Sequence, residues 1–152
     1  MSIMWKYLDK RSAAIAAVKD YENMCFIIES TDEEIRQTHE KMRGLSSTKW
    51  DGMPRTHNPK AAEDRIVDGI EEIDILRERY RQAVEYMNWF EPAWGQLSEE
   101  DQYVLKSFYS NNDYGAGAVE RVADYFSIER TSAYKRKNRA IDRLTVLLFG
   151  KP

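Results

Sequence analysis

The sequence predicts an all-α protein: a long N-terminal helical hairpin, a coiled-coil-like arm, followed by a three-helix helix-turn-helix domain. Three observations carry this. Apolar residues recur at alternating three- and four-residue intervals over most of the chain. Alternating runs of β-branched residues, the mark of half-buried strands, are scarce. The 7 glycines and 4 prolines among the 152 residues leave long stretches free for helix.

In residues 1–43, Met4, Tyr7, Ala14, Val18, Tyr21, Cys25, Ile28, Ile35 and Met42 make one stripe, interrupted by Arg11, Asp32 and His39. Ser30-Thr31-Asp32-Glu33-Glu34 has the form of a capping box, which leaves open whether the helix runs through or breaks and restarts. Residues 44–59, GLSSTKWDGMPRTHNP, read as a loop. A second helix is expected from about Lys60 to Phe90 through Ile66, Ile70, Ile73, Tyr80, Val84 and Met87, with Arg77 off pattern. Pro92 should end it, because the residue before a proline disfavours the helical basin. Such a helix spans on the order of 45 Å, more than a small bundle needs. An antiparallel coiled-coil arm pairing with itself or with a second copy follows, its core including Val18, Cys25, Ile28, Ile70, Ile73 and Val84. The expected division is 1–94 for the arm and 95–152 for the helix-turn-helix. Trp89, Phe90, Pro92 and Trp94 at the junction read as packing between the two.

The C-terminal elements are more specific. Ser98 can cap a helix whose first turn, Glu99, Glu100 and Asp101, suits the positive end of the dipole. Val104, Leu105, Phe108 and Tyr109 form its apolar face. Residues 111–117, NNDYGAG, are a turn-rich break. A helix from about Ala118 to Phe126 points Val119, Val122, Ala123 and Phe126 inward, Ser127 lies in a tight turn and Ile128 plugs the core beneath it. The last helix, about 129–148, buries Ala133, Ala140, Ile141, Leu144 and Leu148, and Gly150 and Pro152 end it.

Leu97, Glu100, Val104, Leu105, Tyr109, Val122, Ala123, Phe126, Ile128, Arg130, Ala133, Ala140, Ile141 and Leu144 together form a pattern that resembles the C-terminal promoter-reading domain of bacterial sigma factors. The likeness covers roughly the last third of the chain; nothing resembles the other sigma regions. The whole layout is similar to small phage and prophage transcription regulators of the late-gene activator type. Glu129 stands where such motifs usually have Ser or Thr. The resemblance implies double-stranded DNA as partner and RNA polymerase as a second candidate partner.

Helix geometry then selects residues. With Ala133, Ala140, Ile141 and Leu144 inward, the opposite face carries Arg130, Thr131, Tyr134, Lys135 and Asn138. The first part of a recognition helix enters the major groove, so Arg130, Thr131, Tyr134 and Lys135 are the base-reading candidates. Arg136, Lys137, Asn138, Arg139 and Arg143 are the phosphate candidates. Residues 1–95 hold 14 basic and 18 acidic side chains, whereas residues 129–143 hold six basic and two acidic. The positive field is thus focused on one helix of a chain whose net charge is −3, and a single copy should bind modestly and with strong salt sensitivity. A homo-oligomer, most simply a dimer, would double the contacts.

Other chemistries find little footing. Cys25 is the only cysteine, so no disulfide forms within the chain, and its apolar neighbours mark an inert thiol. His39 and His57 are eighteen residues apart without nearby cysteines, so no metal site is expected. Glu71, Glu72 and Asp74 spread around their helix as a solvated face. There is no phosphate loop or nucleophile elbow, so no catalytic residue, enzyme activity or cofactor is expected. No signal peptide or spanning stretch is visible, and the expected location is the cytoplasm. Two other functions fit the same elements: an adaptor that binds RNA polymerase or another regulator through its helical surface, and a DNA-packaging recognition subunit.

Overall fold

A computed structural model describes residues 8–44, 59–110 and 117–150. All five elements among them are α-helices: α1 (Lys10–Met42), α2 (Pro59–Gln96), α3 (Glu99–Tyr109), α4 (Ala118–Phe126) and α5 (Arg130–Phe149). Met4, Tyr7, His57, the expected loop from residue 45 to 58 and residues 111–116 of the turn-rich break lie outside the described residues.

Local chemistry explains where the helices start and stop. At the head of α1, Asp9 accepts both the Ser12 N–H (3.1 Å) and the Ser12 hydroxyl (2.8 Å), satisfying an N–H that the first turn leaves free. Pro59 opens α2, where its missing N–H costs nothing. Ser98 caps α3 by accepting from the Asp101 N–H at 3.2 Å. Gly150 closes α5 with φ of 82°, a left-handed conformation that glycine adopts without strain.

One boundary left open by the sequence is decided, and one expected boundary is corrected. α1 does not break at Ser30-Thr31: the Ser30 hydroxyl donates to Glu34 Oε1 at 2.8 Å, and the Thr31 hydroxyl donates to the Ile27 carbonyl one turn back. Both hydroxyls therefore bond along a continuous helix instead of capping a new one. Nor does Pro92 end α2, which continues to Gln96. An interior proline costs about 3 kcal/mol. Phe90, Ala93 and Leu97 are all buried on either side of it, and burying a large apolar side chain yields about 1.5–3 kcal/mol each. Packing outweighs the lost hydrogen bond, and the Gln102 side chain donates to the Trp94 carbonyl at 2.8 Å where the helix finishes.

The described residues form two compact units, one made of those within 1–24 and 86–152, the other of those within 25–85. The expected division at 94/95 falls inside the first unit. In that unit α3, α4 and α5 pack on one another. One core joins Ala14, Ala17 and Val18 of α1 with Phe90, Ala93, Leu97, Leu105, Ala140, Ile141, Leu144 and Leu148. A second joins Val104, Val119, Val122, Ala123 and Ala133, with Phe126 and Ile128 against it. Phe90 stacks on Tyr86 (5.2 Å between centroids) and on Trp94 (5.5 Å), so the aromatic group around Pro92 does pack inward, although Trp89 stays partly exposed against Phe149. α5 is anchored twice, by Ala133 in one core and by Ala140 to Leu148 in the other.

In the second unit, residues of α1 meet α2 in reverse order: Glu34 pairs with Arg79 at 2.8 Å, and Met42 lies against Gly69. The buried stripe differs from the one read off the sequence. Ile27, Thr31 and Thr38 are buried on α1, and Gly69, Ile73, Leu76 and Ala83 on α2. Ile70, expected inside, is 50% exposed, and Cys25, Ile28 and Val84 are only half-buried; Val18 in the first unit and Ile73 here are buried as expected. Around Asp32, His39, Ile70, Arg77 and Val84 the buried residue is the one before the residue of the expected stripe. The rotation has a clear cause. The expected stripe would press Asp32, His39 and Arg77 into the seam, and a buried unpaired charge costs several kcal/mol. Turning it outward substitutes Thr31, Thr38 and Leu76. The Thr38 hydroxyl donates to the Glu34 carbonyl at 2.9 Å, so each threonine hydroxyl is satisfied within its own helix.

Candidate nucleic-acid interface

The candidate surface is the outer side of α5 with the residues that flank it. Only three residues separate α4 from α5. Ser127 takes φ of 54°, and the Ile128 N–H donates to the Ala123 carbonyl at 2.9 Å. Glu129 precedes α5 without a side-chain cap bond, leaving free N–H groups at the start of a helix whose first turn has no acidic residue.

With Ala133 and Ala140 buried, Arg130, Thr131, Tyr134, Lys135, Asn138 and Arg139 are all exposed, which groups every base-reading candidate on one side of the helix. Tyr134 is 45% exposed and its ring lies 6.0 Å from that of Phe108, which supports it from below. Arg130 is paired with Glu120 of α4 at 2.7 Å, both remaining well exposed. Such a pair is held by about 1 kcal/mol or less, so Arg130 can exchange its partner readily. Lys135 and Arg139 have no ion-pair partner among the described residues.

The phosphate candidates divide. Arg139 faces outward. Arg136 lies over the Phe126 ring at 4.1 Å and reaches Glu100 at 3.5 Å. Arg143 is held by Asp101 at 2.5 Å, and that carboxylate is the least exposed partner of any α5 arginine, at 15%. Lys137 is drawn inward, its ammonium 5.2 Å from the centres of the Phe108 and Tyr134 rings. Burial depresses its pKa below the ordinary lysine value, and the nearby Arg11 charge adds to the depression. Asn138 is exposed and accepts a hydrogen bond from Arg11. Of the five, Arg139 is the most freely presented cation.

Arg11 is the residue that sequence reasoning passed over. It donates to Asn138 Oδ1 at 2.8 Å and lies 3.7 Å from Asp142, so the first turn of α1 borders the outer face of α5. A signal was present: Arg11 is one of the three polar residues interrupting the α1 stripe. Thr145 was also missed; it is buried, its hydroxyl donating to the Ile141 carbonyl at 2.7 Å.

Around the corner of α5, Leu97, Val146 and Leu147 line a groove with Gln96, Ser98, Asp101, Asp142 and Arg143 at its edges. Val146 and Leu147 are exposed. No group of His, Cys, Asp and Glu among the described residues could hold a metal ion, and His39 is exposed. No helix among them is long and apolar enough to cross a membrane. Comparison with protein-family models, with curated proteins and with solved structures returns no match for this chain.

Proposed function

We propose that this protein binds double-stranded DNA in a sequence-specific manner as a transcription regulator, with α4, the Ser127–Glu129 turn and α5 acting as a helix-turn-helix. The observation that carries the reading is the outer face of α5. Thr131, Tyr134, Lys135, Asn138 and Arg139 stand exposed together on a helix anchored in two cores, and two of their cations have no ion-pair partner among the described residues. A rigid, cationic, solvent-facing helix suits the major groove, where arginine can bond guanine bidentately and a threonine or tyrosine can meet the thymine methyl. The likeness of the last third of the chain to sigma promoter-reading domains, and of the layout to phage and prophage regulators, supports the same reading. Selection of bound sequences from random duplexes tests it. Enrichment of one motif is the expected result, and no enrichment above a scrambled pool would end it.

Self-association belongs to this proposal. The seam between α1 and α2 buries Ile27, Ile73 and Leu76 with several small residues, while Ile66, Val67 and Ile70 of α2 remain exposed, as a contact with a second copy would require. A dimer would double the phosphate contacts of a chain with net charge −3. Sedimentation at micromolar concentration is expected to give a dimer, and a monomer that binds paired half-sites as single units would exclude it.

A second reading, an adaptor that binds RNA polymerase or another regulator, is favoured by the groove at Leu97, Val146 and Leu147, an apolar surface beside the charged Asp101, Asp142 and Arg143. The two readings separate cleanly: salt-dependent duplex binding by the protein alone belongs to the first.

A further inference from the structure

We infer that Arg11 of α1 is a phosphate contact of the DNA surface, so that the interface is composite: α5 enters the groove and the first turn of α1 holds the strand beside it. This rests on the DNA-binding reading above and extends it to a residue 127 positions away in sequence from the α5 residue that it touches.

The chemistry around Arg11 supports the assignment. Its side chain is 49% exposed. One of its two α5 neighbours is the neutral amide of Asn138, at 2.8 Å, and the other is the Asp142 carboxylate, at 3.7 Å and so beyond hydrogen-bonding distance. A guanidinium has five N–H donors, and these contacts occupy only part of that fork. A further carboxylate nearby, Asp9, caps α1 through Ser12, and those hydrogen bonds are the main cause of its lowered pKa, with the Arg11 backbone N–H and charge as smaller causes. The contrast with Arg143 is informative, since Asp101 holds that guanidinium at 2.5 Å. Arg11 is therefore oriented along the outer face of α5, with Asp142 at ion-pair distance but no carboxylate hydrogen-bonded to its guanidinium among the described residues. A phosphate oxygen pair would offer it the bidentate partner that Asn138 cannot. The proximity also concentrates charge: Arg11 stands near enough to Lys137 to help depress that lysine's pKa, although burial is the larger cause. Two cations from opposite ends of the chain thus contribute to one local field.

Fluorescence anisotropy of the full chain on a labelled mixed-sequence duplex of about two helical turns, titrated with salt, reads the contact directly. Arg11→Ala should flatten the slope of log affinity against log salt by about 0.9, so that its deficit relative to wild type is about threefold larger at 50 mM than at 200 mM salt. Arg11→Lys should keep the slope, and Asp142→Asn should tighten binding. Arg81→Ala, an exposed arginine of the second unit, serves as the control that leaves the curve in place. Circular dichroism checks folding, and Arg11→Gln replaces the alanine variant if that one does not fold. An unchanged slope for Arg11→Ala beside a flattened slope for Arg139→Ala overturns the role of Arg11 and leaves the DNA reading standing. Absence of salt-dependent binding by the wild type overturns both.

Discussion

Met42 occupies the space above Gly69: a Cβ on Gly69 would stand 2.2 Å from Met42 Cγ and 2.6 Å from its Sδ. Within a helix, Gly→Ala ordinarily stabilises by about 0.5–1 kcal/mol. Here the new methyl must displace the Met42 side chain near its root, and overpacking of that kind costs about 1–3 kcal/mol. Gly69→Ala should therefore destabilise the protein in urea melts. The same change in a Met42→Ala background should be neutral or stabilising, and the cycle isolates the contact. Stabilisation by Gly69→Ala in both backgrounds would remove Met42 from this position.

The rotated seam gives a second test. Leu76, outside the expected stripe, is buried, and Ile70, expected inside, is half exposed. Leu76→Ala should cost about 2–5 kcal/mol. Ile70→Ala, measured at concentrations where the chain is monomeric, should stay within about 0.5 kcal/mol. Equal losses at the two positions would argue for the stripe read from the sequence.

On DNA, base and phosphate contacts should behave differently. Arg130→Ala should cost about 1–3 kcal/mol on the preferred site and relax the choice at one base pair. Arg139→Ala should weaken all duplexes alike. Arg143→Ala should have the smaller effect of the two, because Asp101 already holds Arg143. Retention of full sequence preference by Arg130→Ala would remove that residue from base reading.

Acid should weaken the second unit by an identifiable route. The Glu34 carboxyl is held below its ordinary value first by the Ser30 hydroxyl and then by the Arg79 guanidinium. Glu33 is lowered by Arg36 and Gln37, and Glu78 by Arg81 and Gln82. Each folded pKa lies under the unfolded one, so the folded state binds fewer protons in that window. Their contribution is complete above pH 4.5, the ordinary glutamate value, and is lost as pH falls through the lowered values. Thermal melts should show a declining midpoint below that pH, and Glu34→Gln should make the decline shallower. An identical decline in that variant would assign the acid sensitivity elsewhere.

Several features follow from residue order alone. Ser98 with its acidic followers starts α3, and alternating apolar spacing with few Gly and Pro yields helices throughout the described residues. The inward residues of α4 and α5 were legible for the same reason: Val119, Val122, Ala133, Ala140, Ile141 and Leu144 recur at helical intervals, and each short helix has one apolar face to bury. The outer face of α5 is their geometrical complement. Periodicity could not choose between two adjacent stripes on α1 and α2, since shifting by one residue preserves the three-four rhythm. That choice depends on the opposing helix, where Gly69 and Ala83 leave room, two threonines satisfy their own hydroxyls, and Asp32, His39 and Arg77 escape burial. Pro92 survives inside α2 for a similarly nonlocal reason: Phe90, Ala93 and Leu97 are held by side chains from α1, α3 and α5. The meeting of Arg11 with Asn138 was likewise beyond any local pattern, because it exists only once Ala14, Ala17 and Val18 share a core with Ala140, Ile141 and Leu144.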